Sequence, residues 1–307
     1  MKALFDADII VFRAGFAAER QQWFLHVPRV MDSPEVFAYK RDAEKRLDEA
    51  LPGTRSRVEG EDYQMWPERY LEPVEHAYHN VNVLVEKCLE AVDCTEFDAE
   101  FYLSGKGDNF RHRVAKTRPY KGNRDNSHRP THEDAIRAFI RGKWETIVTD
   151  GIEADDALGI AQCSTYGQDE SVIISIDKDL DMLPGFKYNF NNEVNYEVPH
   201  YEAWKNFCLQ LLTGDSTDNI PGLPRVGKQT ASKILDGLSR ADELLEEVGR
   251  QYASRSGRED WFDYLKEQAA LIWIMRKEGE TGDQLIPDYF EELGGGQFDD
   301  TELTLEV

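Results

Sequence analysis

A chain of 307 residues can hold one large domain or two smaller ones and buries a sizeable core without difficulty. Lys and Arg number 36 against 59 Asp and Glu, a net charge of −23 that excludes a generic basic nucleic-acid coat, while 40% apolar and 11% aromatic residues exclude a disordered acidic chain. Some of the acids therefore have work other than solubility.

The chain opens MKALFDADII, where Asp6 and Asp8 interrupt the only candidate signal-peptide core. The longest apolar run, AALIWIM at 269–275, is far short of the roughly 20 residues needed to span a bilayer. Cys88, Cys94, Cys163 and Cys208 form no C-x-x-C pair, so neither a disulfide framework nor a zinc site is expected. These features predict a soluble, cytoplasmic chain with no membrane partner.

KALF at 2–5 is the first predicted strand. A charged insertion covers about 20–75; within it residues 40–63 carry 13 charges among 24 residues with no clear period and are expected to be exposed. From 75 to 92, Ala77, Tyr78, Val81, Leu84, Val85, Cys88, Leu89 and Val92 repeat every three and four residues, which predicts a helix with one apolar face. EFYL at 100–103, ETIVT at 145–149 and SVIISI at 171–176 read as further buried strands. Strand, helix, strand predicts an α/β fold with a mostly parallel sheet. FKYNFNNEVNYEV at 186–198 alternates around Asn191-Asn192 as a hairpin does, and 201–275 is largely helical. The expected organisation is an α/β core over 1–200, a helical subdomain over 201–277 and a solvated tail over 278–307, where ten acids and no base occur.

Charge is unevenly spread. Between Gly105 and Lys143 eleven Lys and Arg face four acids, and Phe110, Tyr120 and Gly122 interleave with them as in a nucleic-acid contact. In an open parallel sheet ligands bind beyond the carboxyl ends of the strands. The first strand is followed by Asp6 and Asp8. The third runs into DGIEADDALGIA, where Glu153, Asp155 and Asp156 open a helix, and the fourth into SIDKDLDML, where at strand geometry Asp177 and Asp179 point the same way. Ordinary capping explains acids at a helix start, and solvated loops explain the rest. Three strand ends converging on one rim instead predict hard, oxygen-preferring divalent cations, Mg²⁺ or Mn²⁺. Two such ions about 3.5–4 Å apart clamp the attacking and leaving oxygens of a phosphoryl displacement. Phosphodiester hydrolysis is the chemistry implied.

A second constellation is LLTGDSTDNIPGLPRVGKQTASKIL at 211–235. Asp215 and Asp218 precede a glycine-rich loop holding Arg225, Gly227 and Lys228, and no acid occurs from Asn219 to Lys233, a composition suited to DNA phosphates. The rival is a P-loop, but Gln229 stands where the Mg²⁺-binding hydroxyl belongs and no strand precedes it. A purely structural helix-hairpin turn is the other alternative.

Taken together these motifs resemble the flap endonuclease and 5′→3′ exonuclease family, most closely its bacteriophage exonucleases, over 1–16 and 99–235 with a weaker echo at 267–277. FDADIIVFR is similar to the family's first-strand motif, GIEADD to its central acidic motif, IDKD to its second-metal pair and GDSTDNIPGLPRVG to its last acidic motif with the helix-3-turn-helix loop. NFRHRVAKTRPYKGNR resembles the start of the basic helical arch, placed at 105–143. The resemblance implies a PIN-like core and two metal ions, one held by Asp6, Glu153 and Asp155 and the other by Asp155, Asp177, Asp179 and Asp215, with Asp156 and Asp218 completing the electrostatic shell. It implies Lys121 at the scissile phosphate with Arg111 beside it, Tyr120, Arg124, Arg225, Gly227 and Lys228 on DNA, and K⁺ held by carbonyls of the helix-3-turn-helix loop. The implied activity is divalent-metal cleavage of DNA from 5′ ends in phage replication or recombination, with flaps and RNA–DNA junctions as further substrates and a replication protein as partner for the acidic tail. Where many relatives carry a second-strand aspartate, this chain has LSGKGDNFR. Ser104 stands at the nearest position and Asp108 four residues on, so either the first metal has one carboxylate fewer or Asp108 stands in. The competing reading is a catalytically silent DNA-binding protein.

Overall fold

The computed structural model describes residues 1–53, 57–124 and 128–290. In chain order they form β1 (Lys2–Asp6), α1 (Ala7–Ala17), β2 (Glu19–His26), β3 (Glu35–Phe37), α2 (Lys40–Ala50), β4 (Gln64–Leu71), α3 (Val74–Ala91), β5 (Ala99–Leu103), α4 (Phe110–Val114), α5 (Glu133–Lys143), β6 (Glu145–Val148), α6 (Ala154–Ile160), β7 (Ser171–Ile174), β8 (Gly185–Asn189), β9 (Val194–Val198), α7 (His200–Thr213), α8 (Lys228–Ile234), α9 (Ala241–Arg255) and α10 (Trp261–Ile272). Two compact units result, one of Met1–Ile9, Glu86–His128 and the chain from Lys143 onward, the other of Ile10–Val85 and Arg129–Gly142.

The first unit is built on a six-stranded sheet in the order β6-β5-β1-β7-β8-β9. Every neighbouring pair is parallel except the β8–β9 hairpin, as the alternation of strand and helix predicts. Parallel strands are covered on both faces, which is why β1 is apolar from Ala3 to Phe5 and β5 from Phe101 to Leu103. Ala3, Leu4 and Phe5 are fully buried, and Phe5 stacks on Phe101 of the next strand with ring centroids 4.5 Å apart. β5, β1 and β7 are consecutive and parallel, so the segments leaving their carboxyl ends meet at one rim.

The helices expected over 201–277 share a core with this sheet. Leu4 and Ile173 belong to the same buried cluster as Leu211, Tyr252, Leu265 and Trp273. That cluster also takes in Ile286 and Phe290, and Phe290 lies against Gly249, where a Cβ would come within 2.7 Å of its ring. The solvated tail expected from 278 is corrected accordingly: two apolar anchors hold 282–290 to the core, and the remainder, 291–307, lies outside the described residues.

The second unit contains a three-stranded antiparallel sheet, β3-β2-β4, with all eight residues of β2 paired to β4. The expectation that 40–63 is an exposed, patternless stretch is overturned for Lys40–Ala50, which is helical. Ala43 and Leu47, one turn apart, form a narrow apolar stripe that packs with Leu25, Val27 and Met31 beneath the sheet, while the charges face outward. A count of charges hides so thin a stripe. The segment expected as the basic arch forms α4, a turn over 115–124 and α5; residues 125–127 lie outside the described residues.

Candidate active site

The rim of the first unit gathers the carboxylates. Asp6 ends β1, is 2% exposed, and accepts a hydrogen bond from Ser175 Oγ at 2.7 Å. Asp8 lies in the first turn of α1 and accepts from the Ser104 amide at 2.9 Å. Glu153 is the N-cap of α6 and Asp155 and Asp156 occupy its first turn, where the helix dipole favours acids. The expected strand over 171–176 stops at Ile174, so Asp177 and Asp179 are not presented by strand alternation. Side-chain turns present them instead: Ser175 Oγ accepts from the Asp177 amide at 3.0 Å, and Asp177 Oδ1 accepts from the Asp179 amide at 2.9 Å. Gln210 of α7 donates to Asp179 at 3.2 Å. Asp215 accepts from the Thr217 amide, which shapes the loop carrying Asp218.

A small cleft is lined by Arg111, Tyr120, Glu153, Asp155, Asp179, Asp215 and Asp218, seven of the residues expected from sequence. Its electrostatics are those of crowded, desolvated acids. Burial, with the charges of Asp8 and Asp177, pushes the Asp6 carboxyl up to about 7; burial, with Asp177, Asp215 and Asp218, does the same for Asp179. Burial and the charges of Asp6, Asp177 and Glu153 push Asp155 up as well. Glu153 goes the other way: burial opposes its charge, but Lys121 and Arg111 outweigh burial and hold it below the usual glutamate range.

Lys121 supplies the local cation. Its Nζ lies 2.6 Å from Glu153 Oε1 and 3.7 Å from Asp218, and its backbone has φ 54°, a left-handed turn that folds PYKGNR back onto the 215–219 loop. The Lys121 amide donates to the Asp218 carbonyl, Asn123 to Ser216, Arg124 to Thr217 and to the Asp218 carboxylate, and Asn219 to the Pro119 carbonyl. The Tyr120 hydroxyl lies between the two acids, 3.0 Å from Glu153 Oε2 and 2.8 Å from Asp218 Oδ2, with its one proton to donate to either. Tyr120 is thus buried beneath the site, and a stacking contact with DNA is not what its position provides.

Arg111 requires the clearest correction. Expected beside the scissile phosphate, it is 2% exposed and its guanidinium is committed to both oxygens of Asp156 and to the carbonyls of Leu271 and Trp273. Asp156, fully buried, accepts also from the amides of Glu153 and Met275. The pair ties α4 and α6 to the chain after α10, a structural role.

Arg225, Gly227 and Lys228 are exposed on the loop before α8 and at its start, apart from the acid cleft's lining. Gly214, at φ 68°, lets that loop close: a Cβ there would fall 2.3 Å from the Ile220 carbonyl oxygen. The segment before Lys228 is helix α7 and a turn, so the P-loop alternative lacks its strand. Asn109 and Glu267 are functional neighbours that the sequence reading missed. Asn109 caps α4 by accepting from the Arg111 amide and donates to Glu153 at 2.8 Å; Glu267 accepts from the Lys116 and Thr117 amides. An Asn before FRHRV is a readable N-cap signal; Glu267, about 150 residues from its partners, left none.

Among the described residues, no group of three or more His, Cys, Asp and Glu side chains is arranged to hold a metal ion as it stands. Glu153 and Asp218 are engaged by Lys121, Tyr120 and Arg124 instead. The donor set nevertheless fits a hard divalent cation: all oxygen, all acidic, and desolvated enough that Asp6, Asp155 and Asp179 resist ionising together.

The sequence is 36% identical over 124 residues to DNA polymerase I of Rhizobium leguminosarum, covering 37% of this chain and 12% of that one. It is 29% identical over 115 residues to a protein of Buchnera aphidicola subsp. Acyrthosiphon pisum (strain APS) named 5′-3′ exonuclease, covering 34% of this chain and 40% of the relative. The chain is similar to a 5′→3′ exonuclease. It spans well under half the length of either curated relative. Among solved structures, zinc-bound T5 5′-exonuclease matches with a TM-score of 0.46 and 18% identity, over 66% of this chain and 79% of that one. No family model matches. Among the described residues no helix is long and apolar enough to cross a membrane.

Proposed function

We propose that this chain is a divalent-metal-dependent 5′→3′ exonuclease that hydrolyses DNA phosphodiesters from 5′ ends, working in the cytoplasm during DNA replication or recombination. The observation that carries the reading is Lys121 Nζ held 2.6 Å from Glu153, which lines a cleft together with Asp155, Asp179, Asp215 and Asp218. The curated relative named 5′-3′ exonuclease and the DNA polymerase I relative support it.

Asp6, Glu153 and Asp155 would hold one Mg²⁺ or Mn²⁺, and Asp155, Asp177, Asp179 and Asp215 the other. Bound there, such ions polarise the phosphate and stabilise the entering and leaving oxygens. Lys121, released from Glu153, would carry its charge to the phosphate, where positive charge offsets what develops in the transition state. Arg124, Arg225 and Lys228 would contact the DNA backbone, with the Gly227 amide close to it, and a K⁺ ion would sit on the carbonyls of the 214–222 loop. The net charge of −23 is compatible with this because fields are local at a Debye length of about 8 Å. Flapped and RNA–DNA junction substrates, and a replication protein on the acidic C-terminus, extend the same reading. A silent DNA-binding protein is the second reading, motivated by Ser104.

A time course with 5′-labelled and 3′-labelled linear duplexes in Mg²⁺ and in EDTA tests it. Early release of short products from the 5′ label, lost in EDTA and in Asp179→Ala, is the expected result. Binding without cleavage in either metal would leave the silent reading.

A further inference from the structure

The missing second-strand carboxylate has a replacement from an unexpected quarter. We propose that Asp8 supplies to the metal-binding rim the carboxylate that Ser104 lacks, and that Asp108 has no part in it. The inference rests on the metal-dependent reading above and names a further residue of the same site.

β1 and β5 are adjacent and parallel with Asp6 opposite Tyr102; β1 ends there and the chain turns into α1 at Ala7, while β5 ends at Leu103, just before Ser104. The contact is direct: the Ser104 amide donates to Asp8 Oδ2 at 2.9 Å. A carboxylate therefore does stand where the second strand ends, delivered from the first turn of α1 rather than from β5 itself. Ser104 has its own work there. Its Oγ accepts from the Ala154 amide at 3.1 Å, satisfying a donor at the start of α6 that the helix leaves unpaired. A serine at 104 thus holds in place the helix that carries Glu153 and Asp155, and is no mark of a disabled site.

Asp108 is placed differently. It is exposed, in the loop before the α4 cap. Asp8, by contrast, is held against the residue that follows β5, which in turn holds the start of α6. The ordinary alternative is that Asp8 only favours the α1 dipole and staples α1 to β5. A substitution that keeps the staple and removes the charge separates the two.

Asp8→Asn retains an oxygen to accept from the Ser104 amide. Mn²⁺ alone, titrated calorimetrically into the full chain, should bind at least tenfold more weakly to Asp8→Asn than to the parent, with Asp108→Asn within twofold of the parent and both variants melting within a few degrees of it. Asp8→Ser serves as a second charge-free variant should Asp8→Asn not fold. Parent-like Mn²⁺ affinity in a folded Asp8 variant, tenfold weakening in Asp108→Asn, or failure of both Asp8 variants to fold would overturn the assignment in favour of the staple. A parent chain that takes up no Mn²⁺ would overturn the metal-dependent reading beneath it.

Discussion

Arg111 and Asp156 form a buried, two-pronged ion pair with Nη1–Oδ2 at 2.6 Å and Nη2–Oδ1 at 2.8 Å, and the same guanidinium reaches the carbonyls of Leu271 and Trp273. Neither charge meets solvent. The pair joins one end of the basic segment, the acid-bearing helix and the chain that leaves α10.

Arg111→Met should therefore act on stability before it acts on chemistry. It leaves Asp156 buried without its partner, a loss of about 3–5 kcal/mol. Urea unfolding should show a large drop in midpoint, and Arg111→Met/Asp156→Leu should recover part of it, because removing both charges is far less costly than removing one. An unchanged midpoint with cleavage abolished would return Arg111 to the phosphate.

Much of the sheet and rim was legible because apolar runs in covered parallel strands and acids just beyond them are local signals. Phe5 and Ile174 mark where β1 and β7 run; Asp6 ends β1, Glu153 and Asp155 come after β6, and Asp179 comes after β7. What was misread depends on partners distant in sequence. Arg111 has the composition of a phosphate contact, and only the return of Leu271 and Trp273, some 160 residues later, shows that its donors are spent. The sheet of the second unit was missed because strands such as ERQQWFLH and QMWPERYL mix polar and apolar residues on both faces and contain no β-branched residue, so that pairing rather than propensity decides them.

Lys187 gives a pH test away from the acid site. It lies on β8, 3% exposed, donating to Gln162 at 2.5 Å, and burial pushes its pKa down to about 7. In the unfolded chain it titrates near 10.5. Between these values the folded state binds fewer protons than the unfolded state, so this group makes stability rise with pH from about 7 towards 10 and lowers it below 7, where burying the charge is disfavoured. Urea midpoints of the parent minus those of Lys187→Met, taken at intervals from pH 6 to pH 9.5, should climb with pH. A flat difference would mean that Lys187 is hydrated in solution.

Lys121 is held in two ways, by its amide on the Asp218 carbonyl and by Nζ on Glu153, and these should separate in a side-chain variant. Lys121→Ala keeps the backbone contact and removes the ammonium. If the charge serves the transition state, single-turnover cleavage at saturating Mg²⁺ should slow by about 10²–10³, the usual effect of removing one positioned electrostatic group. The same variant frees Glu153 from a competing cation, so Mn²⁺ affinity measured without DNA should hold or tighten. The two effects run in opposite directions, which distinguishes a group acting on the phosphate from one that merely orders the acids: weakened Mn²⁺ binding alongside slow cleavage would make Lys121 a positioning residue for Glu153.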